Sequence, residues 1–178
     1  RITTALKALD ATGALNEMHV LPIAGVSSAN VVITVGLGTS TDRDDIRHAL
    51  GNAVRSLVGK KKAVIAPPTN DEATVRAVIE SALMAAYAFD EFRTEKSKLR
   101  PGVKNIVVVV DRPASLKAAA ARAEATAHAV NGTRDLANTP PGHLPPTELV
   151  SRALAAIKGL PIKSQVLDEK QLKAGGYG

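Results

Sequence analysis

A proline-rich segment near the C-terminal end constrains the fold more than any other feature of this sequence. It follows an alanine-rich helical run and contains Pro140, Pro141, Pro145 and Pro146. Proline has no amide hydrogen to donate and disfavours helical geometry in the residue before it, so the helical run must stop here. A second helix can begin beyond the segment, because Thr147 can act as its N-cap and Glu148 would lie in its first turn. The sequence predicts a rigid elbow between two helices at 138–146.

Length and composition indicate a folded α/β region. The 178 residues are enough for one domain with a core. The chain is 45% hydrophobic but only 2% aromatic, so valine, isoleucine, leucine and alanine must build that core. No cysteine is present, which excludes disulfides, thiolate metal sites and cysteine nucleophiles. No apolar run reaches the roughly 18 residues of a membrane span, and the start lacks a secretion signal. We therefore expect a cytoplasmic protein without a membrane partner, and both ends look like internal cuts.

The formal charge of +6 raises the possibility of nucleic-acid binding. The basic residues are dispersed, however, and the tightest run is Lys60-Lys61-Lys62. Few aromatic residues are available to stack on bases. This pattern favours a solvated basic surface over a nucleic-acid partner.

Runs of β-branched residues predict the strands. Two of them, Val31–Val35 and Ile106–Val110, are nearly continuous Val and Ile, as expected for strands buried on both faces. We also expect strands at Ala63–Ala66 and Ile162–Leu167, and a short edge strand at Met18–Leu21, since Pro22 follows it.

Apolar residues at helical spacing alternate with these runs. The first predicted helices are Ile2–Leu9 and about Asp44–Val58, which Gly59 would end. A third would be capped by Thr69 or Asn70 and run to about Arg93. The remaining predicted helices are one from Ser115, as its cap, to Leu136, one at Thr147–Lys158, and a last turn from Asp168 to Leu172. Alternating strands and helices predict an α/β fold with a mixed or mostly parallel sheet flanked by helices.

A glycine-containing turn, Gly36-Leu37-Gly38, lies between a strand and a helix, as in dinucleotide-binding folds. The third glycine of that fingerprint is missing. Asp42, Asp44 and Asp45 also place negative charge where a phosphate would need a positive helix end. A tight structural turn is the better interpretation.

The residues that could carry catalysis are scattered. None of the histidines His19, His48, His128 and His143 forms a His-x-x-x-His pair, and a weak site of His48 with Asp44 and Asp45 is disfavoured against an exposed helix histidine. The same acids lack the pattern of a calcium loop. Ser81 has no nucleophile elbow around it, and the neighbouring acids Asp90-Glu91 and Asp168-Glu169 would point in different directions on a helix. We expect no catalytic, metal-binding or substrate-binding residue in this chain.

Five stretches, in the right order, resemble the cytosolic leucyl aminopeptidases of peptidase family M17. They are Val35–Gly38, Ile46–Gly51, Glu80–Asp90, the elbow with the preceding Arg134-Asp135-Leu136, and Leu172–Gly178. The elbow, similar to the family's RDL-N-TPP segment, is the most specific. One departure is Ser81, where the family usually has glycine, and serine is small enough for close helix packing.

The resemblance implies the N-terminal, non-catalytic domain of a hexameric enzyme that removes N-terminal residues from peptides. Its fold would be macro-domain-like over 1–137, with its start missing. Residues 138–178 would hold the elbow, a linker helix and the start of the connection to an absent C-terminal catalytic domain. In the family, that domain binds two divalent ions, typically zinc or manganese, through motifs that do not occur here. The implied role of this chain is packing against its catalytic domain and helping assembly, with no metal bound by the chain alone and peptide substrates bound through the missing domain.

Two alternatives remain open from the residues. One is a stand-alone macro-like module that binds a nucleotide such as ADP-ribose, which the single Gly-Leu-Gly turn disfavours. The other is nucleic-acid binding, which depends on net charge alone.

Overall fold

The predicted α/β class is confirmed by a computed structural model, which describes residues 2–23, 25, 29–39, 42–95 and 98–177. Strands and helices alternate up to residue 138, and only helices follow among the described residues. The chain divides into two compact units, Arg1–Gly132 and Thr133–Gly178. The domain boundary that we expect at 137/138 stays a prediction. No described helix combines the length and hydropathy needed to cross a membrane.

The first strand pair is antiparallel. Strand β1 (Met18–Pro22) pairs with β2 (Val31–Val35) in a register that sets Met18 opposite Val35. β1 has β2 as its one partner within the described residues, which agrees with the edge strand predicted from Pro22.

The second pair is parallel. Strand β3 (Lys62–Ile65) pairs with β4 (Asn105–Val108), and Lys62 lies opposite Asn105. The described strands thus form two separate two-stranded sheets, so a single, mostly parallel sheet stays a prediction. Our expectation that the Val/Ile runs are buried on both faces is wrong. Val31, Val107 and Val109 are all exposed, because a two-stranded sheet without a second covering layer leaves one face open.

Two helices of the first unit, α2 and α3, begin at aspartate caps. Helices α1 (Ile2–Ala8), α2 (Arg43–Ser56), α3 (Glu72–Ala85) and α4 (Pro113–Asn138) occupy the first unit, and α4 continues into the second. Asp71, not Thr69 or Asn70, caps α3, because its carboxylate accepts the Thr74 amide at 3.0 Å. The Thr69 hydroxyl donates to the same carboxylate and, with the Thr74 bonds, holds the pKa of Asp71 far below its usual range.

Helix α3 ends eight residues before the predicted Arg93. Ala86 is its C-cap, and the chain at Gly102 passes so close that a Cβ there would lie 2.0 Å from the Ala86 carbonyl oxygen. The Asn131 side chain of α4 donates to the Leu83 carbonyl at 3.2 Å, which satisfies one of the last carbonyls of α3. These long-range contacts end the helix, and the local sequence does not show them.

The core centres on α2 and α3, which form the most extensive helix–helix contact. Its buried aliphatic residues are Ile46, Ala49, Ala53, Val54, Val75, Ala77, Val78 and Ala82. Among them lies one buried carboxylate, Glu80, which is 7% exposed. Its oxygens lie 3.2 Å from the Arg47 guanidinium of α2 and 3.5 Å from that of Arg76. The Ser81 hydroxyl also donates to the Arg47 carbonyl at 2.6 Å, so serine at this position adds a bond between the two helices.

The second unit differs from the sequence expectation at two places, the start of α5 and the segment 162–167. Helix α5 (Pro146–Ile157) has Pro145 at its N-cap position, and Thr147 lies inside the first turn with Glu148. Pro146 is suited to that first helical position because its missing N–H has no helical partner to lose. In the first unit, the expected cap Ser115 is also wrong, since α4 starts at Pro113 and the Ser115 hydroxyl donates to the Arg112 carbonyl.

The strand predicted at Ile162–Leu167 is not formed, and its Ile162 and Val166 are half exposed. No strand in the part of the chain that the structure describes lies beside it to supply the ladder bonds that a β-strand needs. The last helix, α6 (Glu169–Ala174), begins at Asp168 in a capping box with Gln171, as the sequence predicts for the cap.

Replacing Glu80 tests how much its charge bridge contributes. We expect Glu80→Ala to lower the free energy of unfolding by about 2 kcal/mol, because it leaves two partly buried guanidinium groups without their shared anion. Glu72→Ala is the matched control, since the Glu72–Arg122 pair is more than half exposed and exposed pairs contribute less than about 1 kcal/mol. Urea unfolding followed by circular dichroism measures both. Equal losses in the two variants would contradict a special role for Glu80.

Candidate functional site

The proline elbow is held by a short chain of polar contacts. Helix α4 ends at Asn138, and the Thr139 hydroxyl donates to the Asp135 carbonyl at 2.6 Å. Thr139 is buried, and its oxygen accepts from the Arg152 guanidinium of α5 at 3.4 Å. Arg152 also donates to Glu148 at 2.8 Å. A 3₁₀ turn, Pro141–His143, lies between the helices. These contacts fix the direction in which α5 leaves the elbow.

The unit that contains the elbow exposes its apolar side chains. Thr139 is the one buried residue between Thr133 and Tyr177, and no aliphatic side chain in that range is buried. The exposed large apolar side chains are Leu149, Leu154, Leu160, Ile162, Val166, Leu172 and Tyr177. We call these seven residues, six of them aliphatic and one a tyrosine, the aliphatic surface. Leu149 and Leu154 belong to α5, which has no buried residue. An apolar surface without a core beneath it indicates a segment that docks on something else.

The described residues do not fit a catalytic metal. Across 2–23, 25, 29–39, 42–95 and 98–177, no three His, Asp or Glu side chains converge as metal ligands. His48 is exposed on α2, and its neighbour Asp44 is paired with Arg47 at 2.8 Å. His19 lies 2.9 Å from Glu17. The histidine candidates are therefore not brought together.

The Gly36–Gly38 turn has a structural reason for its glycines. A Cβ on Gly36 would lie 2.0 Å from the Ala14 carbonyl oxygen, and Gly38 adopts a φ of +67°. The N-terminus of the following helix is already capped, since the Asp42 carboxylate accepts the Asp44 amide at 3.0 Å. A carboxylate thus stands where a phosphate would bind.

The loop before β1 encloses the Glu17 carboxylate. That carboxylate accepts from the Thr12 hydroxyl at 2.7 Å, from the Thr12 and Ala14 amides, and contacts His19. The Thr12 hydroxyl bond is the largest of several hydrogen bonds that lower the pKa of Glu17 to about 2. These hydrogen bonds order the turn around Gly13, and a histidine–carboxylate pair alone does not assemble a nucleophile, a base and an oxyanion donor.

A cavity of about 230 Å³ lies between α3, β4 and α4. Its lining is aliphatic, including Ile79, Leu83, Ile106 and Leu116, apart from Glu124. One carboxylate among aliphatic side chains cannot assemble a nucleophile, a base and an oxyanion donor.

Sequence reasoning missed two ion pairs that organise the structure. Glu148 and Arg152 stand four apart on one helix, a spacing that predicts such a pair, so a search for it would have found them. Arg47 and Glu80 are 33 positions apart, and no local pattern connects them.

Comparison with known proteins identifies the family. The sequence model of the cytosol aminopeptidase family, N-terminal domain, matches residues 1–96. A probable cytosol aminopeptidase of Streptomyces avermitilis is 39% identical, and the match covers all of this chain but 38% of that protein. One from Mycobacterium sp. is 37% identical, covering 99% of this chain and 35% of the relative. The chain therefore belongs to the cytosol aminopeptidase family, as the sequence motifs suggest, and spans little more than a third of these relatives.

Solved structures share the fold. The bottromycin maturation enzyme BotP superposes with a TM-score of 0.79 at 22% identity, over 96% of this chain and 37% of that one. A tomato leucine aminopeptidase variant gives a TM-score of 0.79 at 18% identity, over 97% and 36%. BotP has also been solved with Mn.

The Glu17 loop gives a prediction on pH. We expect Thr12→Val to raise the pKa of Glu17 from about 2 towards 4.5, because it removes the largest of the stabilising hydrogen bonds. A depressed native pKa adds stability above the unfolded value, and that stability is lost as the pH falls from 4.5 to 2. The side-chain carbonyl shift in an NMR pH titration measures it. Thr4→Val, on exposed helix α1, is the control, and an unshifted Glu17 in Thr12→Val would contradict the assignment.

Proposed function

We propose that this chain is the non-catalytic N-terminal part of a two-metal leucyl aminopeptidase that hydrolyses N-terminal residues from peptides. Its own role is structural, in packing against the catalytic domain and helping to assemble the hexamer. Two divalent ions, manganese or zinc, would be held by that other domain and supply the attacking water. The family membership and the partial coverage of the relatives support this division. A macro-domain-like fold of the first unit and a cytoplasmic location belong to the same proposal.

The observation that carries the proposal is the aliphatic surface of residues 133–177. Burying one large aliphatic side chain contributes about 1.5–3 kcal/mol, so six exposed ones and Tyr177 represent a large unsatisfied driving force for docking. The elbow contacts of Thr139 with Arg152 hold α5 in a defined direction, which is what a docking element requires.

The stand-alone nucleotide-binding module is the alternative. It requires a phosphate site, and the capped N-terminus of α2 gives it no support. A rise in melting temperature with ADP-ribose would favour this alternative, since a ligand that binds the folded state alone stabilises it.

A chimera tests the proposed role directly. The chain is joined to the catalytic part of a family member, in place of that enzyme's own N-terminal part, and leucyl-anilide hydrolysis is measured with Mn²⁺. We expect activity in the chimera and none from the 178 residues alone. Leu149→Ser with Leu154→Ser should lower the chimera's activity and its assembly at least about tenfold, since both side chains lose their burial. Ser151→Asp, an exposed polar change on the same helix, is the control and should leave both unchanged.

Two results would overturn the proposal. One is hydrolysis by the purified chain, free of longer species. The other is a chimera whose assembly and activity are the same with and without the leucine substitutions, provided that the substituted chain keeps its helical content by circular dichroism.

A further inference from the structure

The segment between α5 and α6 has the composition of a strand but does not form one. The sequence predicts a strand at Ile162–Leu167, and the structure gives these residues no helix, strand or turn. The amides and carbonyls of Lys163–Leu167 form no hydrogen bond with any other residue that the structure describes. The backbone of this segment therefore has no partner within the described part of the chain.

The side chains of the segment alternate as in a strand with one buried face. Ile162 and Val166 fall on one face, and Lys163 and Gln165 fall on the other. Ile162 is 54% exposed and Val166 is 52% exposed. These two residues would also share a helix face, but both are β-branched, and the described chain forms no helix between α5 and α6. Pro161 precedes the segment, which is a position that a strand tolerates.

Both ends of the segment are held by local hydrogen bonds. Gly159 follows α5 with a φ of +83°, and the Leu160 amide donates to the Ile157 carbonyl at 3.0 Å. At the other end, the Asp168 carboxylate accepts the Gln171 amide at 2.8 Å and begins α6. A short segment that is anchored at both ends loses less conformational entropy on pairing than a free one does.

Covering the aliphatic surface would take the backbone of this segment out of water. Ile162 and Val166 belong to that surface, so a partner that buries them also covers the peptide groups between them. A buried amide or carbonyl needs a hydrogen-bond partner, because leaving it unpaired costs as much as losing a hydrogen bond. A segment that is not helical obtains such partners along its whole length when it adds to a sheet edge.

We propose that Ile162–Leu167 becomes a strand by adding to a sheet of the catalytic part of the same protein. The inference rests on the proposed function and names the way in which the aliphatic surface docks. Partial coverage of the relatives supports this occupant, since the chain spans 38% of the Streptomyces avermitilis protein. The aliphatic surface also includes Leu154 of α5 and Leu172 of α6, on either side of the segment, so one partner can cover all three elements.

A second copy of the chain is the competing occupant. Two copies of Ile162–Leu167 can pair edge to edge, as exposed strands do. Lys163 lies inside the segment, however, and a lysine within an exposed strand is a common device against such pairing. This feature favours the catalytic part over a second copy.

Hydrogen exchange by mass spectrometry on peptides that cover 160–168 tests the inference. The samples are the 178-residue chain and the same chain joined to the catalytic part of a family member. In the chain alone, we expect exchange at the rate of an unstructured peptide. In the joined protein, we expect exchange to slow on the order of a hundredfold, because strand pairing shields the amides.

Proline substitutions separate strand pairing from simple burial. Ser164→Pro with Gln165→Pro removes two neighbouring amides, which point to opposite edges of a strand, so at least one paired donor is lost. We expect this pair to reduce both the protection and the assembly of the joined protein at least about tenfold, with assembly measured by sedimentation velocity. Ser164→Ala with Gln165→Ala is the matched control, because it keeps both amides, and it should change neither quantity.

Serine substitutions test which face of the strand is buried. Ile162→Ser with Val166→Ser should reduce assembly of the joined protein at least about tenfold, because both side chains lose their burial. Lys163→Ser with Gln165→Ser changes the opposite face and should leave assembly intact. Circular dichroism of each variant chain shows that its helical content is kept.

Some results would overturn the inference and leave the proposed function standing. They are a joined protein that assembles and hydrolyses leucyl-anilide while the segment stays unprotected, equal effects of the proline and alanine pairs, or equal effects of the two serine pairs. Self-association of the chain alone that the proline pair abolishes would assign the strand to a second copy and overturn the inference as well. A joined protein that neither assembles nor hydrolyses leucyl-anilide overturns the proposed function and this inference together.

Discussion

A buried carboxylate between two arginines is the interaction on which the first unit depends most. Glu80 lies in the contact between α2 and α3 and reaches Arg47 on one helix and Arg76 on the other. Taking this charge out of water is costly, and only well-placed partners offset that cost. The Ser81 hydroxyl adds a bond to the backbone of α2 one residue later. Together these contacts set the register of the helix pair, which in turn aligns the small buried residues Ala49 and Ala82.

The sequence predicts what is decided locally. Alternation of apolar runs gives all four strands of the first unit within one or two residues, and the Asp168 cap follows from a four-residue pattern. The predicted end of α3 was wrong because Gly102 and Asn131, which are distant in sequence, decide where that helix stops. The strand predicted at 162–167 does not form, again because of long-range contacts and not because of the local sequence. Its composition is suitable for a strand, but none of the described strands pairs with it.

The candidate site, too, could be predicted from the sequence only where local residues decide it. The prolines locate the elbow from sequence alone, yet the bonds of Thr139 to Asp135 and Arg152 depend on how the two helices meet. The solvent exposure of a side chain is the property that is hardest to predict from the sequence. The valines of β2 and β4 look like buried residues by type, and only the structure shows which of them lack a covering layer.

The two units differ in the interactions that stabilise them. The first has a core of small aliphatic residues, two aspartate-capped helices and a charge bridge. The second has an elbow and one capping box, at Asp168, but no buried aliphatic side chain. Local hydrogen bonds specify its helices, and tertiary burial, which supplies most helix stability in proteins, is absent. Under the proposed function, this segment gains its stability by docking on the catalytic domain.

Hydrogen exchange by mass spectrometry on the chain alone, and on the chain joined to a family catalytic part, tests this account most directly. The account predicts fast exchange in α5 and α6 of the isolated chain and strong protection in the joined protein, with α2 and α3 protected equally in both. Strong protection of α5 in the isolated chain, or none gained on joining, would contradict it.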